Sequence, residues 1–92
     1  MADEIIVYGS LWCGYTTHAL RTLNKLGVAY RYIDVDESPE DEKRIADWNN
    51  GRSIRPTIDI GGTIFVNPDD STLFQELRQR DLLMTDESVK QR

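Results

Sequence analysis

Cysteine is almost absent from this chain: among 92 residues there is one, Cys13. A single thiol excludes an intramolecular disulfide and a self-contained Cys-rich zinc site. It also fits a reducing compartment, so a cytoplasmic location is expected. Histidine is equally scarce, with His18 alone. A mononuclear metal site would have to lean on carboxylates or on a second chain. No apolar run approaches the ~18 residues that a membrane span needs. The acidic start Met1-Ala2-Asp3-Glu4 precedes only four apolar residues, which is not the pattern of a secretory signal. There is no basic surplus either: the net charge is −5, which argues against nucleic-acid binding by phosphate neutralisation.

What is present suits a small globular protein. Apolar residues make up 39% and charged residues 29%, outside the ranges of disordered and membrane chains. The length fits one domain over residues 1–92, with an ordered core over about 4–82 and a polar tail after about Leu83. A chain this size buries only about 60–65% of its unfolded surface, so it has one modest core.

Strand and helix signals alternate. Ile5-Ile6-Val7-Tyr8 is a short β-branched run ending at Gly9. From Gly14 the spacing is helical: Tyr15, Ala19, Leu23 and Leu26 form a stripe, widened by Leu20, and Gly27 stands at the C-terminal cap. A second strand is expected over Val28 to Val35. Ser38-Pro39-Glu40-Asp41 starts a helix, with Ile45 and Trp48 inward, and Asn49-Asn50-Gly51 stops it. Thr57-Ile58-Asp59-Ile60 and Thr63-Ile64-Phe65-Val66 flank Gly61-Gly62, a hairpin signal. Asn67-Pro68-Asp69-Asp70 opens a third helix carried by Leu73, Phe74 and Leu77. Trp48 and Phe65 read as core residues. The order β-α-β-α-β-β-α, with a parallel first pair and an antiparallel last pair, is an α/β pattern of thioredoxin type: a four-stranded mixed sheet with three helices.

Cys13 falls between the first strand and the first helix. The free N–H groups of a helix's first turn, here Gly14, Tyr15 and Thr16, would face its sulfur, and the helix dipole favours an anion there. The Thr16 hydroxyl adds a donor one turn on. All of these lower a thiol's pKa. Nucleophilicity falls along with pKa, at a slope of about 0.4–0.5, so the net gain in attack is small. The larger benefit is that Cys13 becomes a better leaving group, which favours turnover through a mixed disulfide.

Trp12-Cys13-Gly14-Tyr15-Thr16 after a first strand resembles a glutaredoxin active site, and is closest to the short bacterial glutaredoxin-like proteins with a W-C-G-Y-C site, including the mycoredoxins. The likeness continues in Asn49-Asn50-Gly51, Ile54-Arg55-Pro56-Thr57-Ile58, Gly61-Gly62 and Val66-Asn67-Pro68, and covers about residues 5–80. The resemblance implies a thioredoxin fold, a nucleophilic Cys13 and a cis peptide before Pro56 facing that sulfur. It also implies that the backbone before this proline pairs with the cysteinyl part of a bound thiol.

Three positions depart from the family pattern. Thr16 replaces the second cysteine, so a dithiol route is closed and a monothiol route is left. Ser10 stands where many glutathione-using members carry Lys. Arg55 stands where Val is common, and it either supplies the missing positive charge or is a solvated loop residue. The other residues expected to hold the thiol are Trp12, Tyr15, Asn67, Asp69 and Asp70. The two aspartates would accept an ammonium group, or serve only as first-turn acids of the third helix. His18 lies off the face of Cys13, and a role as its base is disfavoured. The acids Asp34, Asp36, Glu37, Glu40, Asp41 and Glu42 lack calcium-loop spacing and read as a solvated face.

These readings converge on a glutaredoxin-type thiol-disulfide oxidoreductase in redox homeostasis. Its co-substrate would be glutathione, bacillithiol or mycothiol, its clients thiolated proteins, and it would need no cofactor or membrane. It is expected to be a monomer. One alternative is a [2Fe–2S] carrier, in which two chains each give Cys13 and two glutathiones complete the ligands, making a dimer. Another is a non-enzymatic redox sensor.

Overall fold

A computed structural model describes residues 4–83. The expected polar tail, like Met1-Ala2-Asp3, lies outside the described residues. The chain runs β1 (Ile5–Gly9), α1 (Gly14–Leu26), β2 (Arg31–Asp34), α2 (Pro39–Trp48), β3 (Thr57–Ile60), β4 (Thr63–Val66) and α3 (Asp70–Gln79). The sheet order is β2-β1-β3-β4. β1 pairs parallel with β2 and antiparallel with β3, and β3 pairs antiparallel with β4. This is the thioredoxin-like arrangement that the order of elements predicts.

Period-two alternation in β1 feeds two cores. Ile5 and Val7 share one face with their β3 partners Ile60 and Ile58, and there meet Ala19 and Leu23 of α1 and Leu73 and Leu77 of α3. Ile6 and Tyr8 face the other way, toward Ile45 of α2 and Val35. Two helices thus cover one face and one covers the other. Leu23, Ile45, Ile58 and Leu77 are fully buried. Each such side chain contributes roughly 1.5–3 kcal/mol. The hairpin between β3 and β4 turns on Gly61 and Gly62, at φ 59° and 96°. Two consecutive positive φ values are the signature of the tight turn that suits a right-twisted hairpin.

Several boundaries and core assignments differ from the sequence-based expectation. β2 is shorter than Val28 to Val35. Val28 instead closes the end of α1, donating its N–H to Leu23 O at 3.3 Å after the left-handed Gly27. Trp48 is not a core residue: it is 40% exposed and rests edge-on against Tyr8, centroids 5.5 Å apart. Phe74 is also exposed, because the inward stripe of α3 is Leu73 and Leu77, and a residue one step from Leu73 is rotated about 100° off it. Phe65 is half-buried against the larger core. Ser38 precedes α2 as expected, yet its hydroxyl donates to the Asp41 carboxylate at 2.7 Å and caps no backbone N–H. In α1 the buried positions are Thr16, Ala19 and Leu23, so Thr16 takes the place in the stripe that spacing assigns to Tyr15.

Candidate active site

β1 ends at Gly9, and the turn that follows delivers Cys13 to the start of α1. The turn closes with Cys13 N–H donating to Ser10 O at 3.0 Å. Cys13 is then the N-cap of α1, with extended backbone at φ −90° and ψ 120°. Its thiol is half-exposed. Opposite it stands the Arg55–Pro56 peptide, which is cis, and the sulfur lies 3.8 Å from Arg55 O.

The thiol's pKa lies below its ordinary value. Burial pushes it up, but the backbone N–H and hydroxyl of Thr16, the backbone N–H of Tyr15 and the charge of Arg55 together outweigh burial. Gly14, expected to join them, is not among these donors. Thr16 is fully buried, and its oxygen accepts the Ser10 N–H at 3.4 Å, which leaves its own proton for the sulfur. It is held in place by the bareness of Gly9. A Cβ there would stand 2.5 Å from Thr16 Cγ2 and 2.6 Å from its Oγ1. Gly9 is therefore a site residue that sequence reasoning passed over as the mere end of a strand.

On one flank sits a clamp around Arg55. Its guanidinium bonds Glu42 at 3.0 Å, Asp36 at 3.4 Å and Ser53 O at 3.4 Å. It also stacks on Trp12, its Cζ 5.6 Å from a ring centroid. The Trp12 Nε1–H donates to Asp36. The Arg55 side chain is only 15% exposed, so it is not a solvated loop residue. Asp36 and Glu42 are likewise not a purely solvated face. Nothing in the sequence links positions 36, 42 and 55; the fold alone assembles them. Trp12 itself is 72% exposed and Tyr15 68%, giving the thiol an aromatic rim.

On the other flank is a groove of about 510 Å³ between α1 and the approach to α3, lined by Tyr15, His18, Ala19, Asn67, Pro68, Asp69, Asp70 and Ser71. Asn67, at φ 45°, donates its N–H to Pro56 O at 2.7 Å and so ties this groove to the peptide facing Cys13. Asp69 caps α3 by accepting Thr72 N–H at 2.8 Å, and bonding by Thr72 holds its carboxyl below the usual range. Asp70 lies 2.9 Å from His18 Nε2 and accepts the Thr22 hydroxyl at 3.2 Å. Bonding to His18, more than that to Thr22, lowers its pKa. His18, disfavoured as a base for Cys13, thus has a partner in the groove. Pairing across 52 positions gives no local signal in sequence. Among the described residues no three His, Cys, Asp or Glu side chains converge as metal ligands. No helix among them is long and apolar enough to cross a membrane.

A cysteine capping the first helix of a thioredoxin-like domain, opposite a cis-proline loop, defines a class of thiol proteins. The family follows from comparison with known proteins. The glutaredoxin family model matches residues 5–66, and the chain belongs to the glutaredoxin family. A curated relative, a glutaredoxin of Ricinus communis, is 27% identical over 64 residues, 66% of this chain and 62% of that one. The matched stretch thus spans about three-fifths of that relative. Among solved structures, a glutaredoxin from Brucella melitensis superposes with a TM-score of 0.69 at 24% identity, covering 92% of each chain. A buckwheat glutaredoxin–glutathione complex superposes at 0.64 with 23% identity, covering 87% of this chain and 73% of that one.

Proposed function

We propose that this chain is a monothiol thiol-disulfide oxidoreductase that reduces mixed disulfides between client proteins and a low-molecular-weight thiol. The observation that carries the reading is the half-exposed Cys13 at the N-cap of α1, its thiolate favoured by Thr16 and facing the Arg55 backbone. In the first step the Cys13 thiolate attacks the small-thiol sulfur of the mixed disulfide. A new S–S bond joins Cys13 to the small thiol, and the client leaves as a thiolate that takes a proton from solvent. In the second step a free small thiolate attacks the small-thiol sulfur of that adduct. A symmetric disulfide departs and Cys13 is regenerated. Thr16 stands where a resolving cysteine would act, so the external thiol must do this work.

The surrounding residues complete this reading. Trp12 and Tyr15 border the docking surface, the Arg55 backbone next to Pro56 meets the cysteinyl part of the thiol, and Asn67, Asp69 and Asp70 receive its far end. The thiol is glutathione, bacillithiol or mycothiol. The protein works as a monomer in the reducing cytoplasm, where a lone thiol persists.

The test is intact mass after brief exposure to the three corresponding disulfides, with Cys13→Ser as control. One fast adduct, reversed by the same thiol, supports the exchange route and names the partner. Absence of any adduct overturns it. A brown, dimeric preparation carrying iron and sulfide would replace it with the [2Fe–2S] carrier, and an adduct that forms but is never released would replace it with a redox sensor.

A further inference from the structure

We infer that the site selects its co-substrate by charge, taking an uncharged or cationic thiol in preference to an anionic one. The inference rests on the exchange reading above and concerns which thiol Cys13 accepts. Arg55, the cation whose charge acts on the Cys13 thiol, is only 15% exposed and already held by carboxylates. Glu42 and Asp36 both hold it, at 3.0 and 3.4 Å, and Trp12 covers it while donating to the same Asp36. That flank carries one negative charge in surplus. On the opposite flank His18 faces Asp70 at 2.9 Å, with Asp69 beside it. Arg55 is thus exceeded by its carboxylates, and on the other flank two carboxylates stand beside one imidazole. A ligand entering on either side meets net negative charge, which repels a carboxylate, attracts an ammonium group and leaves a hydroxyl group unaffected.

The test compares three small symmetric disulfides of similar length: cystamine, which is cationic, bis(2-hydroxyethyl) disulfide, which is neutral, and bis(carboxyethyl) disulfide, which is anionic. The rate of Cys13 adduct formation is followed by mass at low ionic strength and divided by the rate of a cysteine in a short neutral peptide with the same disulfide, which cancels the different basicities of the leaving thiols. The expected order is cationic, neutral, anionic, with a step of about threefold per unit charge, as for charges several ångströms apart in water-like dielectric. The spread should collapse in ~1 M salt, where the Debye length is about 3 Å. Glu42→Gln, which removes the surplus negative charge and leaves Arg55 paired with Asp36 alone, should raise the anionic-to-neutral rate ratio about threefold; taking the ratio cancels any change in the thiol's own reactivity. Equal rates, a reversed order, or a ratio unmoved by Glu42→Gln overturns the charge selection and leaves the exchange reading standing. No adduct with any of the three overturns both.

Discussion

Replacing Thr16 with Val deletes one hydroxyl and keeps the shape of the side chain. Thr16 is fully buried beneath the thiol and donates to it, so the thiolate loses a charge-assisted hydrogen bond. Such bonds are worth about 1.5–3 kcal/mol, and the half-exposed sulfur places this one near the low end. A loss of about 1.4 kcal/mol lowers the thiolate-to-thiol ratio roughly tenfold. The more basic thiolate that remains is a better nucleophile and recovers about threefold. Well below the titration midpoint the variant should therefore react about threefold more slowly than the parent. Well above it, where both thiols are ionised, it should react about threefold faster. The two pH profiles must cross. The assay is the rate of Cys13 adduct formation with bis(2-hydroxyethyl) disulfide from about pH 5 to 10, with thermal melting to confirm the fold. A uniform slowing at every pH would mean that Thr16 governs access and not ionisation, and would refute the reasoning. So would identical profiles.

Gly9→Ala places a methyl 2.5 Å from Thr16 Cγ2. It should cost about 1–3 kcal/mol by overpacking, read by urea denaturation, and it should slow Cys13 at neutral pH by displacing Thr16. Parental stability would show that β1 and α1 can part without cost. The depressed pKa of Cys13 also makes a signed prediction. Relative to Cys13→Ser, the stability it contributes is fully present above the unfolded thiol's pKa and is lost as pH falls through the lower folded value. The difference in Tm between the two proteins should grow from acid to alkaline pH, and the opposite slope would contradict the assignment. Thr16→Cys should restore a dithiol site and confer insulin reduction; an inactive variant that is folded and fully reduced would count against the proposed geometry.

Most of the architecture was legible because local chemistry and tertiary packing agree. The β1 run, the Gly27 cap, Pro39 opening α2, and the Gly61-Gly62 turn each specify one backbone choice. Sequence and structure part where hydrophobicity carries no direction. Trp48 and Phe74 are large and apolar, yet each sits beside the buried stripe of its helix and not on it. Val28 to Val35 looks like one strand, but Val28 closes α1 and the strand begins only at Arg31.

The site divides in the same way. Cys13 and Thr16 were readable because their relation runs through one helical turn. The pairing of Arg55 with Asp36 and Glu42, and of His18 with Asp70, joins residues far apart in the chain. Such pairs exist only once the end of β2, the approach to β3 and the N-terminal parts of α1, α2 and α3 are brought together by the fold. The resemblance marked Arg55 as unusual, and the structure adds what holds it.

Turnover is the most direct test of the central claim. A client protein carrying one mixed disulfide with the preferred thiol would be mixed with a hundredth of its amount of this chain and an excess of that thiol. Release of the client would be followed by mass. The account predicts many clients released per Cys13, with the Cys13 adduct as the species that accumulates and no activity from Cys13→Ser. Release that stops at one client per Cys13, or that matches the thiol alone, would contradict it.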